Sequence, residues 1–139
     1  MGATKLGETL WTMHLEKMCA LDRIVERSRA RGESGVLMYL YHVGRPMFPG
    51  ELTEKMGLTT GRIANILKGL ESSEMIVRTP DRQDKRRVQV ALTPKGEAEA
   101  RRQNTEGIAF HARLLEALSE EEAEAFLDMI RRMVAVLND

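Results

Sequence analysis

The densest chemistry in this chain is a run of cations. Arg82, Lys85, Arg86 and Arg87 stand within six residues, interrupted by Asp84. Guanidinium and ammonium groups at this density suit phosphate, and an Arg at such a tip suits a narrow groove whose negative potential is enhanced. The aspartate need not touch an anion, since it can hold one Arg by a charge-assisted bond. A hairpin kept soluble by charge would carry the same composition. A second set lies upstream, in Thr59-Thr60-Gly61-Arg62 with Asn65 and Lys68. Arg and Asn make bidentate contacts to guanine and adenine edges, respectively. Gly61 lets a backbone approach closely, and Lys68 adds a phosphate contact one turn further on. These positions are also what the solvated face of an amphipathic helix would offer.

Other chemistries find no support. One cysteine, Cys19, cannot form an internal disulfide, and with His14, His42 and His111 far apart it gives no zinc-ligand spacing. There is no nucleophile elbow, phosphate loop or paired acid and base, so an enzyme is not expected and no cofactor is implied. No apolar run approaches the roughly 20 residues of a membrane span, and the start lacks a signal-like stretch. A cytoplasmic location is the expectation. The net charge is zero, but it is unevenly spread. Residues 45–102 carry 12 basic and 8 acidic side chains, whereas residues 103–139 carry 3 and 8. A local basic face, and not the total, decides attraction to nucleic acid.

The elements that would position these residues follow from periodicity. Leu10, Trp11, His14, Leu15, Met18, Leu21 and Val25 form a stripe, which predicts a long helix from about Lys5 to Ala30. Gly32 is expected to end it or open a tight turn, with a short buried helix from Gly35 to Val43. Arg45 to Phe48 reads as extended, because the residue before a proline disfavours the helical region. Pro49 to Met56 makes a short helix whose start is weakly signalled, Phe48 being a poor N-cap. Gly57-Leu58 is a turn. Thr59 then caps a helix reaching about Ser73, with Ile63, Ile66, Leu67 and Leu70 on one face. Ile76 to Thr79 and Val88 to Leu92 read as strands joined by the charged tip, and alternation puts Val88, Val90 and Leu92 on one side. Thr93-Pro94 starts a helix to about Leu118. Ser119 with Glu122 is a capping box for a last helix, whose stripe is Ala123, Phe126, Leu127, Ile130, Met133, Val134 and Leu137.

Helix, turn, helix and charged hairpin is the order of a winged helix, in which the second helix enters the major groove. The stretch Pro49 to Gly96 resembles the MarR (multiple antibiotic resistance regulator) family. Gly50-Glu51-Leu52 through Leu58-Thr59 is similar to its helix-turn-helix, and Leu70-Glu71 through Met75-Ile76-Val77-Arg78 to its passage into the wing. Its most diagnostic run resembles Asp81-Arg82-Gln83-Asp84-Lys85-Arg86, followed by Val90-Ala91-Leu92-Thr93-Pro94-Lys95-Gly96.

The resemblance implies a mainly α fold, a winged helix-turn-helix with a small antiparallel β-wing flanked by long dimerisation helices. One domain would span residues 1–139, with dimerisation helices at about 1–31 and 103–139 and the DNA-binding region at about 32–102. It implies a homodimeric, sequence-specific DNA-binding regulator, a repressor relieved by a ligand and acting on a pseudo-palindromic operator. The family's minor-groove Arg carries onto Arg86, with Asp84 as its partner. Thr59, Thr60, Gly61, Arg62, Asn65, Lys68, Arg82 and Lys85 complete the expected DNA-binding set.

Two positions depart from the pattern. The family often has a basic residue where Asn65 stands and a small hydroxyl residue where Arg62 stands, so base readout is not carried over. Gly69 within the recognition helix is also unusual, at a cost of about 1 kcal/mol against Ala. The Met residues suit core filling, or an adaptable pocket for an apolar effector, and the resemblance implies that a small aromatic one could be bound. Some relatives sense peroxides through a cysteine on the first helix, and here Cys19 with Tyr39 and Tyr41 would be that alternative. Its neighbours Met18 and Ala20 favour an inert buried thiol. A winged-helix protein-interaction module without DNA binding is the other, against which the charged wing counts.

Overall fold

The computed structural model describes residues 2–13 and 31–138. Its elements are α1 (Ala3–Met13), α2 (Arg31–Val43), α3 (Pro49–Met56), α4 (Thr60–Ser72), β1 (Ile76–Pro80), β2 (Val88–Leu92), α5 (Pro94–Leu115) and α6 (Glu120–Leu137). This is the expected helix-rich winged helix. The later part of the predicted first helix, with His14, Met18 and Cys19, lies outside the described residues.

The chain divides into two compact units, residues 1–100 and 101–139. The core of the first is made by Val36, Leu37 and Leu40 of α2, Leu52 of α3, and Ile63, Ile66, Leu67 and Leu70 of α4. Met47, Ile76, Val90 and Ala100 close it. All four apolar positions expected on one face of α4 are therefore buried. The helical period alone places them there, and burying each contributes on the order of 1.5–3 kcal/mol.

One local expectation is corrected. Gly32 neither ends a helix nor opens a turn, but lies within α2 (Arg31–Val43), which takes in residues before Gly35. The reason is packing. A Cβ at Gly32 would run into the Ile66 side chain of α4, so the glycine marks a close helix approach.

Termini were more legible. Thr59 Oγ1 accepts the Arg62 amide at 3.2 Å, as an N-cap should. Gly57, at φ 63°, ends α3 in the left-handed conformation. Phe48 has no side-chain oxygen to cap α3. Glu51 Oε1 instead accepts the Phe48 amide at 3.2 Å, and that carboxylate is held by Arg45 at 2.8 Å.

The wing is an antiparallel pair in the register Ile76↔Leu92 to Pro80↔Val88. Met47 adds a third, single-residue rung. It exchanges both backbone bonds with Val90, at 2.9 and 2.8 Å, and is itself fully buried. The extended reading of residues 45–48 thus has a structural purpose, since it ties the start of α3 to the wing. The expected alternation along β2 holds at Val90 and fades toward the tip. Val88 is 39% exposed, because the core ends below it.

In the second unit, the Ser119 hydroxyl and Glu122 carboxylate form the expected capping box at the start of α6. No residue of α6 is buried. Among the described residues, no helix is long and apolar enough to cross a membrane.

Candidate nucleic-acid interface

The N-terminal part of α4 is presented on a fixed base. Its apolar face is anchored in the core, and the Thr59 cap sets the direction of its first turn. Thr59, Thr60, Gly61, Arg62, Asn65 and Lys68 are all exposed, as a reading surface requires. Nothing stands within 4 Å of the place a Cβ would take at Gly61, so that position is open to an approaching surface. Arg62 has a particular placement. Its Nη2 lies 3.9 Å from the site of a Gly32 Cβ, so the side chain reaches back over the start of α2. A rotamer change would be needed before its guanidinium could extend outward.

The far end of α4 is tied to the wing. Arg78 Nε donates to Glu71 at 2.8 Å, joining β1 to the helix. Glu74 occupies the left-handed region at φ 59°, where the Met75 amide bonds back to Leu70 O at 2.9 Å and the Glu74 amide to Glu71 O at 3.0 Å. This is a Schellman ending with a carboxylate residue where glycine is preferred. The turn's carbonyls are held from the other side. Thr93 Oγ1 donates to Glu74 O at 2.6 Å, the Thr93 amide to Met75 O at 3.0 Å, and Lys95 Nζ to Ser73 O at 2.9 Å. The helix and the wing therefore form one braced body.

The tip spans Asp81 to Arg87, and two aspartates organise it. Asp81 Oδ2 accepts the Asp84 amide at 3.1 Å, and Asp84 Oδ1 accepts the Arg86 amide at 3.1 Å. Such side-chain to backbone bonds two or three residues on are how aspartate builds turns. The same Asp84 Oδ1 lies 3.6 Å from Arg86 Nε, while the Arg86 side chain is 95% exposed. Asp84 thus bonds the Arg86 backbone and lies within ion-pair distance of its guanidinium. Arg82 and Lys85 are exposed beside it. Arg87 departs from the four-cation tip of the sequence reading. Its guanidinium carbon sits 3.6 Å from the centroid of the Phe48 ring, at the root of the wing.

Sequence reasoning overlooked this root cluster of Arg45, Phe48, Glu51 and Arg87. The one available signal was a phenylalanine at an N-cap position. Glu51 is held below its ordinary range, first by the hydrogen bond from Arg45 and also by the Phe48 amide and the nearby charge of Arg87, against a desolvation cost. Arg45 is raised by the same pair.

The remaining candidates have bland roles or lie elsewhere. Tyr39 donates its hydroxyl to Lys55 O at 3.2 Å. His42 packs edge-on to Tyr41, and His111 bonds Gly107 O at 2.7 Å through Nδ1. No cluster of metal-ligand type occurs among the described residues. Cys19 is outside them.

This geometry, a capped exposed helix braced to a cationic wing, defines a winged helix-turn-helix. A model of the MarR family matches residues 27–87. The structure of Staphylococcus aureus MepR in its DNA-binding conformation is 26% identical, with a TM-score of 0.67 over 94% of this chain and 97% of that one. Streptococcus pneumoniae FabT in complex with DNA is 20% identical and gives 0.76 over 99% of both chains. Bacillus subtilis YusO is 19% identical and gives 0.69 over 97% and 99%. The last two establish the fold. No curated protein matches the chain. Residues 27–87 thus match the MarR family of transcription regulators, and the described residues carry the fold of these solved structures.

Proposed function

We propose that this chain binds duplex DNA as a homodimer and represses transcription from a pseudo-palindromic operator, with repression relieved by a small aromatic or apolar ligand. The observation that carries the DNA reading is the pairing of two exposed polar ends on one buried core. One is the start of α4, with Thr59, Thr60, Gly61, Arg62, Asn65 and Lys68. The other is the wing tip, with Arg82, Lys85 and Arg86 organised by Asp84. Both exposed ends meet what groove readout needs: short polar or forked side chains on a helix start, and cations on a projecting ribbon. That solved relatives of this fold include DNA complexes supports it. The dimer reading rests on apolar side chains left exposed on α1 and α6. The ligand and repressor readings rest on the family resemblance.

Gel shift with a random-sequence duplex at low salt tests the DNA reading. Retardation that weakens steeply with added salt is expected, since each phosphate neutralised adds about 0.9 to the slope of log K against log salt. Selection from the same pool should then yield an inverted repeat. Failure to bind any duplex at low salt would overturn the proposal.

A further inference from the structure

Arg87 is the one cation of the wing run that the interface described above does not use. Its backbone closes the tip loop. The Asp81 amide donates to Arg87 O at 2.8 Å, and the Arg87 amide to Asp84 O at 3.0 Å. The loop so closed contains Arg82, Asp84, Lys85 and Arg86. Its side chain points the other way, with the guanidinium over the Phe48 ring at 3.6 Å. Phe48 immediately precedes α3, and its amide is held by Glu51, which also pairs with Arg45. The adjacent Met47 exchanges backbone bonds with Val90 of β2. One residue therefore joins the closure of the tip loop to the N-terminus of the first helix of the helix-turn-helix.

We propose that Arg87 is a positioning residue for DNA binding: stacked on Phe48, it pins the wing root to the start of α3 and so sets where Arg82, Lys85 and Arg86 are presented. The stack explains an otherwise poor choice of residue. A Phe where Ser, Thr, Asp or Asn would cap a helix gives up a hydrogen bond, and here it provides an aromatic face for a cation. A planar guanidinium is suited to that face, since it can lie over the ring and still direct its N–H groups outward along its own plane. The proposal rests on the DNA reading, and it predicts that Arg87 acts through Phe48 and contacts no phosphate.

Two measurements on the full chain test it. The first needs no DNA. Arg87 side-chain proton resonances should be shifted upfield by the Phe48 ring current, keep that shift in Phe48→Tyr, and lose it in Phe48→Leu. The second is affinity for a random-sequence duplex across a salt series. Arg87→Ala and Phe48→Leu should each weaken binding about two- to five-fold, the worth of an exposed cation–π contact. The double variant should be no weaker than either single one, and Phe48→Tyr should restore binding. The salt slope should stay unchanged in Arg87→Ala.

A slope shallower by about one unit would make Arg87 a phosphate contact and overturn the proposal. So would additive losses in the double variant, or an absent ring-current shift in the unaltered chain. If the unaltered chain bound no duplex, the role in DNA binding would fall with the DNA reading. A retained upfield shift would then show the pin intact, locating the failure in that reading. Arg87→Ala removes an exposed side chain, so its slope can be read even if Phe48→Leu folds poorly.

Discussion

At the scale of single residues, charge counting and geometry disagree about Asp84. Removing a carboxylate from a cationic tip adds net positive charge, and simple electrostatics then expects tighter DNA binding. Yet Asp84 Oδ1 accepts the Arg86 amide at 3.1 Å and lies 3.6 Å from Arg86 Nε. Losing it frees both the turn and the guanidinium, so Asp84→Ala is expected to weaken binding. Arg86→Ala should also weaken it and make the salt slope shallower by about one unit. Affinities for one duplex over several salt concentrations decide between the accounts, and tighter binding by Asp84→Ala would refute the orienting role. Glu51 offers a second test at this scale. Its carboxyl is depressed chiefly by the Arg45 hydrogen bond, so its contribution to stability is complete above the ordinary glutamate range. That contribution is lost only as pH falls through the lowered value. Carboxyl carbon shifts followed by NMR should show a midpoint below that of an unpaired glutamate, and Arg45→Ala should raise it. Asp84 was legible in the sequence because it interrupts a run of like charge. The Arg87 stack was not, since its aromatic partner lies 39 positions away and is brought close only by the rung between Met47 and Val90.

At the scale of elements, the glycines show what periodicity can and cannot read. The buried stripe of α4, the Thr59 cap, the Gly57 stop and the Ser119 capping box were all visible, because each depends on residues within a turn or two of each other. Gly32 was misread, because its reason is Ile66 on another helix. Gly69 had no account from sequence. In the fold, a Cβ there would meet Glu33 Oε1 of α2 at 2.6 Å, the far end of a mobile side chain. Glu33 can swing aside, so Gly69→Ala should recover helix propensity and stabilise by up to about 1 kcal/mol. Gly96 is the contrast. A Cβ there would strike the Met75 carbonyl, which is backbone and is already bonded to the Thr93 amide. Gly96→Ala should destabilise by about 2 kcal/mol or more, as overpacking against a rigid neighbour does. Urea melts of the two variants check the pair. Equal effects would mean that the α2–α4 contact is as rigid as the wing exit.

At the scale of the whole molecule, the distribution of apolar surface argues for a second copy. The first unit has a closed core from Val36 to Ala100, whereas α6 buries none of its residues. Phe126, Ile130, Met133 and Leu137 follow one another at helical spacing and are 44%, 37%, 57% and 83% exposed, respectively. Leu6, Leu10 and Trp11 on α1 are exposed as well. Apolar faces of this extent mark association, and a two-fold pair is the commonest form that association of identical chains takes. Such a pairing would have a consequence for DNA. Two α4 helices related by it would read half-sites about one helical turn, roughly 10 base pairs, apart. Ile130→Glu with Met133→Glu should place two charges in that contact and shift light scattering from dimer to monomer at micromolar concentration. Because neither residue belongs to the core cluster, circular dichroism should keep its helical signal. Binding to an inverted repeat should then fall toward that for a single half-site, as the second recognition event loses its tether. A stable monomer of the unaltered chain, or full affinity for the repeat in the double variant, would show that one copy suffices. The exposed stripe would then need another partner.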